Sequence, residues 1–243
     1  MTGGGRYVRR TPRPLDPVTP GPEDLPDSLD AAYAAIGAAL AGVPLGGWKI
    51  GGTNHASCAA FGVDTPYYGA LRTDEVMEAG AAVPGYALAE WKGEVEFALR
   101  LDADATGYDA WCIALEMPAS PLTNLPQAGV AALVADRCAA GALLLGEVVA
   151  GALPPLEGAA MVLQVDGREI DRADVSALTA HPEEILTRSL ALMRAHGQTP
   201  APGQWVATGG VTACHALPAT GRVEVTFQDR VMFAATLAGI PDA

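Results

Sequence analysis

The chain has 243 residues, of which half are hydrophobic, so it is long enough to fold as one large domain with a substantial core. Its formal net charge is −13, because 28 acidic residues outnumber 15 basic ones. An acidic surface of this kind opposes binding to nucleic-acid phosphates. The apolar stretch 128–156 is interrupted by Asp136, Arg137 and Glu147, which argues against a membrane span.

The cysteines and the N-terminal sequence predict a cytoplasmic protein. The four cysteines are far apart and include no Cys-x-x-Cys pair, as is typical of reduced thiols. The first residues lead into no hydrophobic segment of the kind that forms a signal peptide.

Residues 1–28 are rich in proline, glycine and arginine, and we expect them to form a flexible N-terminal arm. The rest of the chain, residues 29–243, is predicted to be a single domain. It begins with a helix that the sequence Asp27-Ser-Leu-Asp30 caps and that ends near Ala41, where Gly42 follows.

From Trp48 onward, short apolar runs separated by glycine, proline and aspartate favour strands. The predicted strands are 48–51, 93–101, 111–117, 161–165, 205–208 and 222–227. Two further helices are predicted at 127–134 and 181–196 from the spacing of their apolar residues. Many strands, few helices and no repeating βαβ unit indicate an α+β domain that is mostly β.

Two glutamates lie two positions apart in the predicted strand 93–101. Because side chains alternate between the faces of a strand, Glu94 and Glu96 share one face, opposite Val95, Phe97 and Leu99. If that face is buried, the carboxylates repel each other and need a cation, for which Mg²⁺ or Mn²⁺ is well suited. The alternative is an edge strand whose acidic face is solvated.

A third glutamate, Glu116, lies near the end of the predicted strand 111–117, where an unpaired charge is unfavourable. With Glu94 and Glu96 it completes a set of three carboxylates, which leaves positions on an octahedral ion for water or substrate. Taken alone, Glu116 is also consistent with a strand-end residue that reaches solvent.

Five segments resemble, in the same order, the motifs of one enzyme family. Residues 48–71 resemble the segment G-x-K-V-G … L-G-V-D-x-P-x-x-G-x-L, and residues 203–212 resemble its G-D-x-x-x-T-G-x-x-T ending. Residues 135–141 resemble the turn A-D-N-x-x-x-G, while Glu94-Val-Glu96 and Ala114-Leu-Glu116 fall at the metal-ligating glutamates. The family is that of the 2-oxopent-4-enoate hydratases, which includes 4-oxalocrotonate decarboxylases and belongs to the fumarylacetoacetate hydrolase-like superfamily.

The resemblance implies a mixed β-roll with flanking helices, like the C-terminal domain of fumarylacetoacetate hydrolase. It implies that the three glutamates hold Mg²⁺ or Mn²⁺, and that Lys49, Asp64 and Asp136 occupy catalytic positions. The substrate-binding residues that it implies are Lys92, Arg137, Thr208, Gly209, Thr212 and His55.

The only lysines of the chain, Lys49 and Lys92, both lie beside these motifs. Lys49 is the candidate acid/base or oxyanion partner. Burial near a metal would lower its pKa and nearby carboxylates would raise it, a balance that the sequence leaves open. Lys92 is expected to pair with Glu90 or to orient a ligand.

Three departures from the family pattern bear on function. The 19 residues between Glu96 and Glu116 are fewer than usual, which predicts that a surface helix is missing. Arg137 stands where asparagine is usual, so we expect a cation that anchors a second substrate carboxylate, or else a surface residue. Gly209-Gly210 replaces a turn that often carries serine. An altered substrate and an inactive relative are both compatible with these changes.

The resemblance predicts a metal-dependent hydro-lyase, a hydratase ahead of a decarboxylase, acting on a 2-hydroxydienoate or 2-oxo-alkenoate through a metal-chelated enolate. One alternative is a hydrolase of acylpyruvates. Related hydrolases use a histidine with a glutamate one helical turn later. In this chain the residue three positions after His55 is Cys58. Another is a catalytically weak scaffold partner of a sister hydratase or decarboxylase. The resemblance also implies a homo-oligomer.

Overall fold

The structure is a computed structural model that describes residues 7–9, 17–80 and 91–237. Within these ranges the α-helices are Leu29–Ala39 (α1), His55–Phe61 (α2), Leu125–Ala135 (α3) and Pro182–Ala195 (α4). The first strands are Leu45–Gly51 (β1), Tyr67–Arg72 (β2), Val76–Glu78 (β3), Lys92–Leu101 (β4), Tyr108–Met117 (β5), Ala142–Leu145 (β6) and Val149–Ala150 (β7). The later strands are Ala160–Val165 (β8), Arg168–Asp174 (β9), Trp205–Ala207 (β10), His215–Ala216 (β11), Gly221–Phe227 (β12) and Arg230–Leu237 (β13).

The strands form two sheets. The larger follows the order β2-β1-β10-β4-β5-β6-β3, while β11 adds to β4 and β7 adds to β5. It is mixed, because β1 pairs with β10 and β3 with β6 in parallel, whereas the other neighbours are antiparallel. The smaller sheet, β13-β12-β8-β9, is antiparallel. The predicted fold class, α+β and mostly β, is confirmed, and the larger sheet curls into a half-barrel.

The alternation predicted for β4 packs the two sheets together. Val95 and Phe97 are fully buried, and the Phe97 ring meets Phe227 of β12 edge-on, with ring centroids 5.5 Å apart. Burying an apolar side chain of this size contributes about 1.5–3 kcal/mol. The opposite face of β4 carries the two glutamates and is therefore directed away from this core.

The predicted helices and strands are present, with ends that differ by a few residues. The Ser28 hydroxyl caps α1 by accepting a hydrogen bond from the Ala31 N–H at 3.2 Å. Gly42 follows α1 with a φ of 76°, a conformation that suits glycine. α3 differs most from expectation, because Gly129 interrupts it with a φ of 82°.

The N-terminal segment contacts the domain where it is described. The Arg9 N–H donates to the Ala135 carbonyl at 2.9 Å, and Val18 forms a parallel bridge with Leu122. The flexibility of residues 1–28 as a whole and the homo-oligomer stay predictions. Among the described residues, no helix has both the length and the apolar character needed to cross a membrane.

Candidate metal centre

Three glutamates meet on one face of the larger sheet. Glu94 and Glu96 project from the same face of β4, and the antiparallel register places Glu116 of β5 directly opposite Glu94. One carboxylate oxygen from each lies within 4.8 Å of the other two. Glu96 and Glu116 are almost completely buried, while Glu94 is half-buried. The structure therefore brings together the three carboxylates that the sequence proposes as metal ligands.

Lys49 contacts this cluster through Glu116. It lies on β1, which β10 separates from β4, and its Nζ donates to Glu116 Oε1. Its register partner on β10 is Ala207. Burial alone would lower the pKa of Lys49, but the attraction of Glu116 and Glu94 outweighs it and holds the pKa above its ordinary value. Lys49 is therefore protonated at neutral pH.

One lysine does not neutralise three carboxylates. Burial, followed by the charge of Glu116, raises the pKa of Glu94 to about 7, although Lys49 opposes the shift. Burial and the charge of Glu116 also raise the pKa of Glu96 well above its ordinary range. Without a further cation, the cluster therefore retains protons at neutral pH.

Glu96 shows that the cluster has unused capacity to bind a cation. Its Oε2 accepts a hydrogen bond from the Gly209 N–H at 2.7 Å, whereas its Oε1 is buried without a hydrogen-bond partner. A buried, unpartnered carboxylate oxygen is unfavourable unless a cation binds it. The donors are all oxygens, which Mg²⁺ and Mn²⁺ prefer. These residues thus fit a hard divalent ion.

The loop after β10 is shaped around the carboxylates. Gly209 has a φ of 105°, a value that favours glycine, and it directs its N–H at Glu96. A Cβ on Gly210 would lie 2.2 Å from Glu94 Oε2. In the Gly209-Gly210 pair, a departure from the family pattern, Gly210 therefore leaves the space that Glu94 occupies, and Gly209 supplies the N–H that Glu96 accepts. Gly209 donates to Glu96 and also lines the cavity described next, so the substrate contact expected of it stays a prediction.

Lys49, Glu94 and Glu116 line a cavity of about 180 Å³. Most other lining residues are apolar or aromatic: Ile50, Phe61, Tyr67, Leu125, Leu133, Cys138 and Ala139. Thr53, Asn54 and Ser57 add polar groups. A small cavity with a few charged groups among apolar walls suits a small organic acid.

A strained turn forms the cavity wall beside Lys49 and Glu116. Arg137, Cys138 and Ala139 have φ values of 57°, 55° and 55°. This left-handed conformation costs a non-glycine residue roughly 1–2 kcal/mol, and it persists only where the surroundings enforce it. The turn packs so tightly on β2 that a Cβ on Gly69 would lie 2.2 Å from the Arg137 carbonyl oxygen.

Arg137 does not serve the role expected from the sequence. Its Nη1 and Nη2 donate to the two carboxylate oxygens of Glu75 at 2.9 Å and 2.6 Å, and both side chains are buried. The guanidinium already binds a carboxylate in the two-point geometry that a substrate would need. Arg137 is therefore neither a surface residue nor an anchor for a second substrate carboxylate.

Asp136 is buried beside the same turn and is not among the residues that line the cavity. Its Oδ1 accepts a hydrogen bond from the Tyr7 hydroxyl at 2.6 Å, and its Oδ2 lies 3.8 Å from Arg9 Nη1. Burial raises the pKa of Asp136, while Arg9 and Tyr7 oppose the shift. Its position supports a structural role in place of the catalytic role predicted for it.

Two other predicted residues lie outside the cavity. Asp64 is exposed in the turn before β2, and His55 is exposed at the first position of α2. Lys92 is exposed at the start of β4, and its predicted partner Glu90 lies outside the described residues. The structure thus separates Asp64 and His55 from the carboxylates with which the resemblance groups them.

The two predicted threonines hold the loop after β10 against β4. The Thr208 hydroxyl donates to the Phe97 carbonyl at 3.1 Å, and the Thr212 hydroxyl accepts from the Val95 N–H at 2.9 Å. Both side chains are buried. Their contacts fix the loop that carries Gly209, so they support the site indirectly.

The short connection between β4 and β5 leaves the metal cluster intact. Asp102 closes a compact turn: its carboxylate accepts hydrogen bonds from the backbone N–H groups of Asp104 and Thr106. The turn joins the strands at the end far from Glu94 and Glu116, which stay paired in register. The shortness of this connection therefore leaves the carboxylate geometry unchanged.

Several cavity residues were not predicted from the sequence. Asn54 caps α2 by accepting a hydrogen bond from the Ser57 N–H at 2.7 Å, and its amide donates to the Gly210 carbonyl at 2.9 Å. An asparagine before an Ala-rich segment that ends in glycine is a helix-start pattern, so it gave a usable signal. Cys138 gave no such signal, because a left-handed turn places it in the wall.

The fold of this chain resembles that of known proteins. No protein-family model matches the chain, and no curated protein matches it. Solved structures do resemble it. A 4-oxalocrotonate decarboxylase from Pseudomonas putida G7, complexed with magnesium and adipate, has a TM-score of 0.77 at 21% identity, covering 93% of this chain and 91% of that chain.

Two further solved structures extend the comparison. A fumarylpyruvate hydrolase from Pseudomonas aeruginosa in complex with Mn²⁺ and pyruvate has a TM-score of 0.58 at 15% identity, covering 80% of this chain and 89% of that one. A 5-carboxymethyl-2-hydroxymuconate delta-isomerase from Mycobacterium smegmatis has a TM-score of 0.57 at 15% identity, covering 83% of this chain and 82% of that one. The chain therefore has the fumarylacetoacetate hydrolase-like fold that the resemblance implied.

Proposed function

We propose that the chain is a divalent-metal-dependent lyase, a hydratase, that acts on a small 2-hydroxydienoic acid or its 2-oxo tautomer. The observation that carries this proposal is the cluster of three glutamates with an unpartnered buried oxygen, of which Glu94 and Glu116 line a small cavity together with Lys49. Mg²⁺ and Mn²⁺ occur in complexes of two of the similar structures, which supports the choice of metal.

Glu94, Glu96 and Glu116 would hold the ion. A divalent ion at this position supplies positive charge that stabilises negative charge developing on the 2-oxo group of a substrate. Lys49 carries a proton at Nζ beside the same position, so it can donate to, or electrostatically stabilise, the substrate oxygen.

The remaining walls fit the hydrocarbon end of such an acid. Phe61, Leu125 and Leu133 present apolar surface, and the volume of about 180 Å³ admits only a short chain. In the proposed reaction the 2-hydroxyl proton is lost and the terminal carbon gains one, which gives an α,β-unsaturated ketone. The oxygen of water then adds to the far alkene carbon and a proton adds to its neighbour.

A comparison of two substrates tests this proposal. We expect the full chain with Mg²⁺ or Mn²⁺ to hydrate a short monocarboxylic 2-hydroxydienoate, with isotope from labelled water in the product. The dicarboxylic counterpart should react with a kcat/KM at least about tenfold lower, because Glu75 occupies Arg137 and the apolar walls disfavour a second charge. Formation of two acids from an acylpyruvate would contradict the proposal in favour of a hydrolase, and turnover of none of these compounds would favour a scaffold.

Decarboxylation is the second candidate function. The observation that favours it is the TM-score of 0.77 to a 4-oxalocrotonate decarboxylase, with similar coverage of both chains. The test is whether the chain releases CO₂ from a dicarboxylic 2-oxo acid faster than it hydrates the monocarboxylic substrate. That result would favour a decarboxylase over a hydratase.

A further inference from the structure

Arg9 lies between two backbone segments that both enter the candidate site. Its side chain is buried, and its Nη1 donates to the Ala119 carbonyl at 2.6 Å. Its backbone N–H donates to the Ala135 carbonyl at 2.9 Å. Ala119 follows Glu116 by three residues, and Ala135 precedes Cys138 by three. One side chain and its own backbone thus join the segment of a presumed metal ligand to that of the strained cavity wall.

The two segments also contact each other directly. The Ala119 N–H donates to the Ala139 carbonyl at 2.7 Å, which ties the end of the β5 segment to the left-handed turn. A Cβ on Gly141 would lie 2.2 Å from the Met117 carbonyl oxygen, so the backbones are as close as glycine allows. A displacement of the turn would therefore be transmitted to the strand end that carries Glu116.

The carboxylate of Asp136, at the start of the turn, completes the arrangement. Its Oδ1 accepts from the Tyr7 hydroxyl at 2.6 Å, and its Oδ2 lies 3.8 Å from Arg9 Nη1. Asp136 and Arg9 are both buried, so each provides the opposite charge that the other needs. Residues 7–9 thus hold the first residue of a turn whose next three residues are all left-handed.

We propose that Arg9, assisted by Tyr7, is a positioning residue that fixes the placement of Glu116 and Cys138 in the candidate site. Arg9 is not among the residues that line the cavity, and it contacts the Ala119 carbonyl and Asp136, so we expect it to act through the strand end and the turn. The part of the proposal that concerns metal rests on the function proposed above. Residues 7–9 then help to position the residues of the site, in addition to any role in stability.

The test compares Arg9→Met, Arg9→Lys and Arg230→Met in the full chain. Arg230→Met is the matched control, because it breaks an exposed ion pair with Glu147. The first readout is the alkylation rate of Cys138, which peptide mapping measures. The reaction is run at a temperature where circular dichroism shows each variant to be folded. The second is Mn²⁺ affinity by calorimetry. Neither requires turnover, so a failed hydratase assay leaves this test valid.

We expect Arg9→Met to alkylate at Cys138 about tenfold faster and to bind Mn²⁺ about tenfold more weakly, the scale at which outer partners of metal ligands act. Arg9→Lys should have an alkylation rate and a Mn²⁺ affinity close to those of the parent, and Arg230→Met should match the parent in both measurements. If Arg9→Met does not fold, Tyr7→Phe removes a single hydrogen bond and should shift both readouts in the same direction. A folded variant with a lower Tm but parental alkylation and Mn²⁺ affinity would overturn the proposal, because Arg9 would then serve stability alone.

Discussion

Replacing Lys49 with methionine is expected to lower kcat/KM for a 2-hydroxydienoate by roughly 10²–10⁴-fold, the usual effect of losing a general acid or base. Lys49 is the lysine that contacts the carboxylate cluster, and Glu116 and Glu94 keep it protonated. Methionine retains the apolar stem and removes the charge. The measurement is steady-state kinetics with saturating Mg²⁺, on protein that circular dichroism shows to be folded.

Two comparisons make the result interpretable. The metal-free variant should be less stable than the parent, because Glu116 loses its buried partner, so stability is measured alongside turnover. Arg230→Met removes an exposed cation that pairs with Glu147, and it should have a much smaller effect. Parental kcat/KM in folded Lys49→Met would exclude Lys49 from the chemistry.

Breaking the buried pair between Arg137 and Glu75 is expected to lower the free energy of unfolding by about 3–5 kcal/mol. Arg137→Met leaves Glu75 charged and buried, and Glu75→Gln leaves Arg137 in the same state. Methionine and arginine have similar backbone preferences, so the substitution leaves the cost of the left-handed φ unchanged. Urea unfolding of both single variants measures the effect.

A double variant separates the pair from its surroundings. Arg137→Met combined with Glu75→Leu removes both charges and should recover part of the lost stability, because no unpaired ion remains. Losses below about 1 kcal/mol in both single variants would show a pair no stronger than one on the surface. That result would contradict the role of this pair in holding the turn 137–139.

The carboxylate cluster was predictable because its pattern is local. The period of two along a strand places Glu94 and Glu96 on one face. Glu116 was identifiable because it is a single charged residue at the end of an apolar run. The register that places Glu116 opposite Glu94 adds long-range information that agrees with the local pattern. The strands β4 and β12 were predictable because apolar and polar residues alternate along them, and β5 and β8 because each contains a run of apolar residues.

The remaining parts depend on contacts between distant residues. β6 is only four residues long, and β9 is largely exposed, so neither carries a distinctive hydrophobic pattern. The partner of Arg137 is 62 residues away, and a cation at that position resembles a substrate anchor when only the sequence is known. The contacts of Tyr7 and Arg9 span more than a hundred residues, which a composition rich in proline and glycine conceals.

The position of Asp136 illustrates how a resemblance can indicate a turn without indicating the direction of its side chains. The resemblance identified residues 135–141 as a turn, and a turn is present at Arg137–Ala139. The side chain of Asp136 nevertheless points to Tyr7 and Arg9, because the left-handed backbone that follows presents Cys138 to the cavity instead. Side-chain direction in such a turn follows from φ values that the sequence does not indicate.

Calorimetric titration of Mn²⁺ into the parent, Glu96→Gln and Glu157→Gln tests the central claim, that three glutamates bind one divalent ion. Burial and the charge of Glu116 raise the pKa of Glu96, so the neutral amide of glutamine is a close substitute in the metal-free chain. The variant should therefore keep its metal-free Tm. We expect one ion per parent chain, affinity weakened at least about tenfold in Glu96→Gln, and no change in Glu157→Gln, whose side chain is exposed. Parental Mn²⁺ affinity in Glu96→Gln would contradict the account.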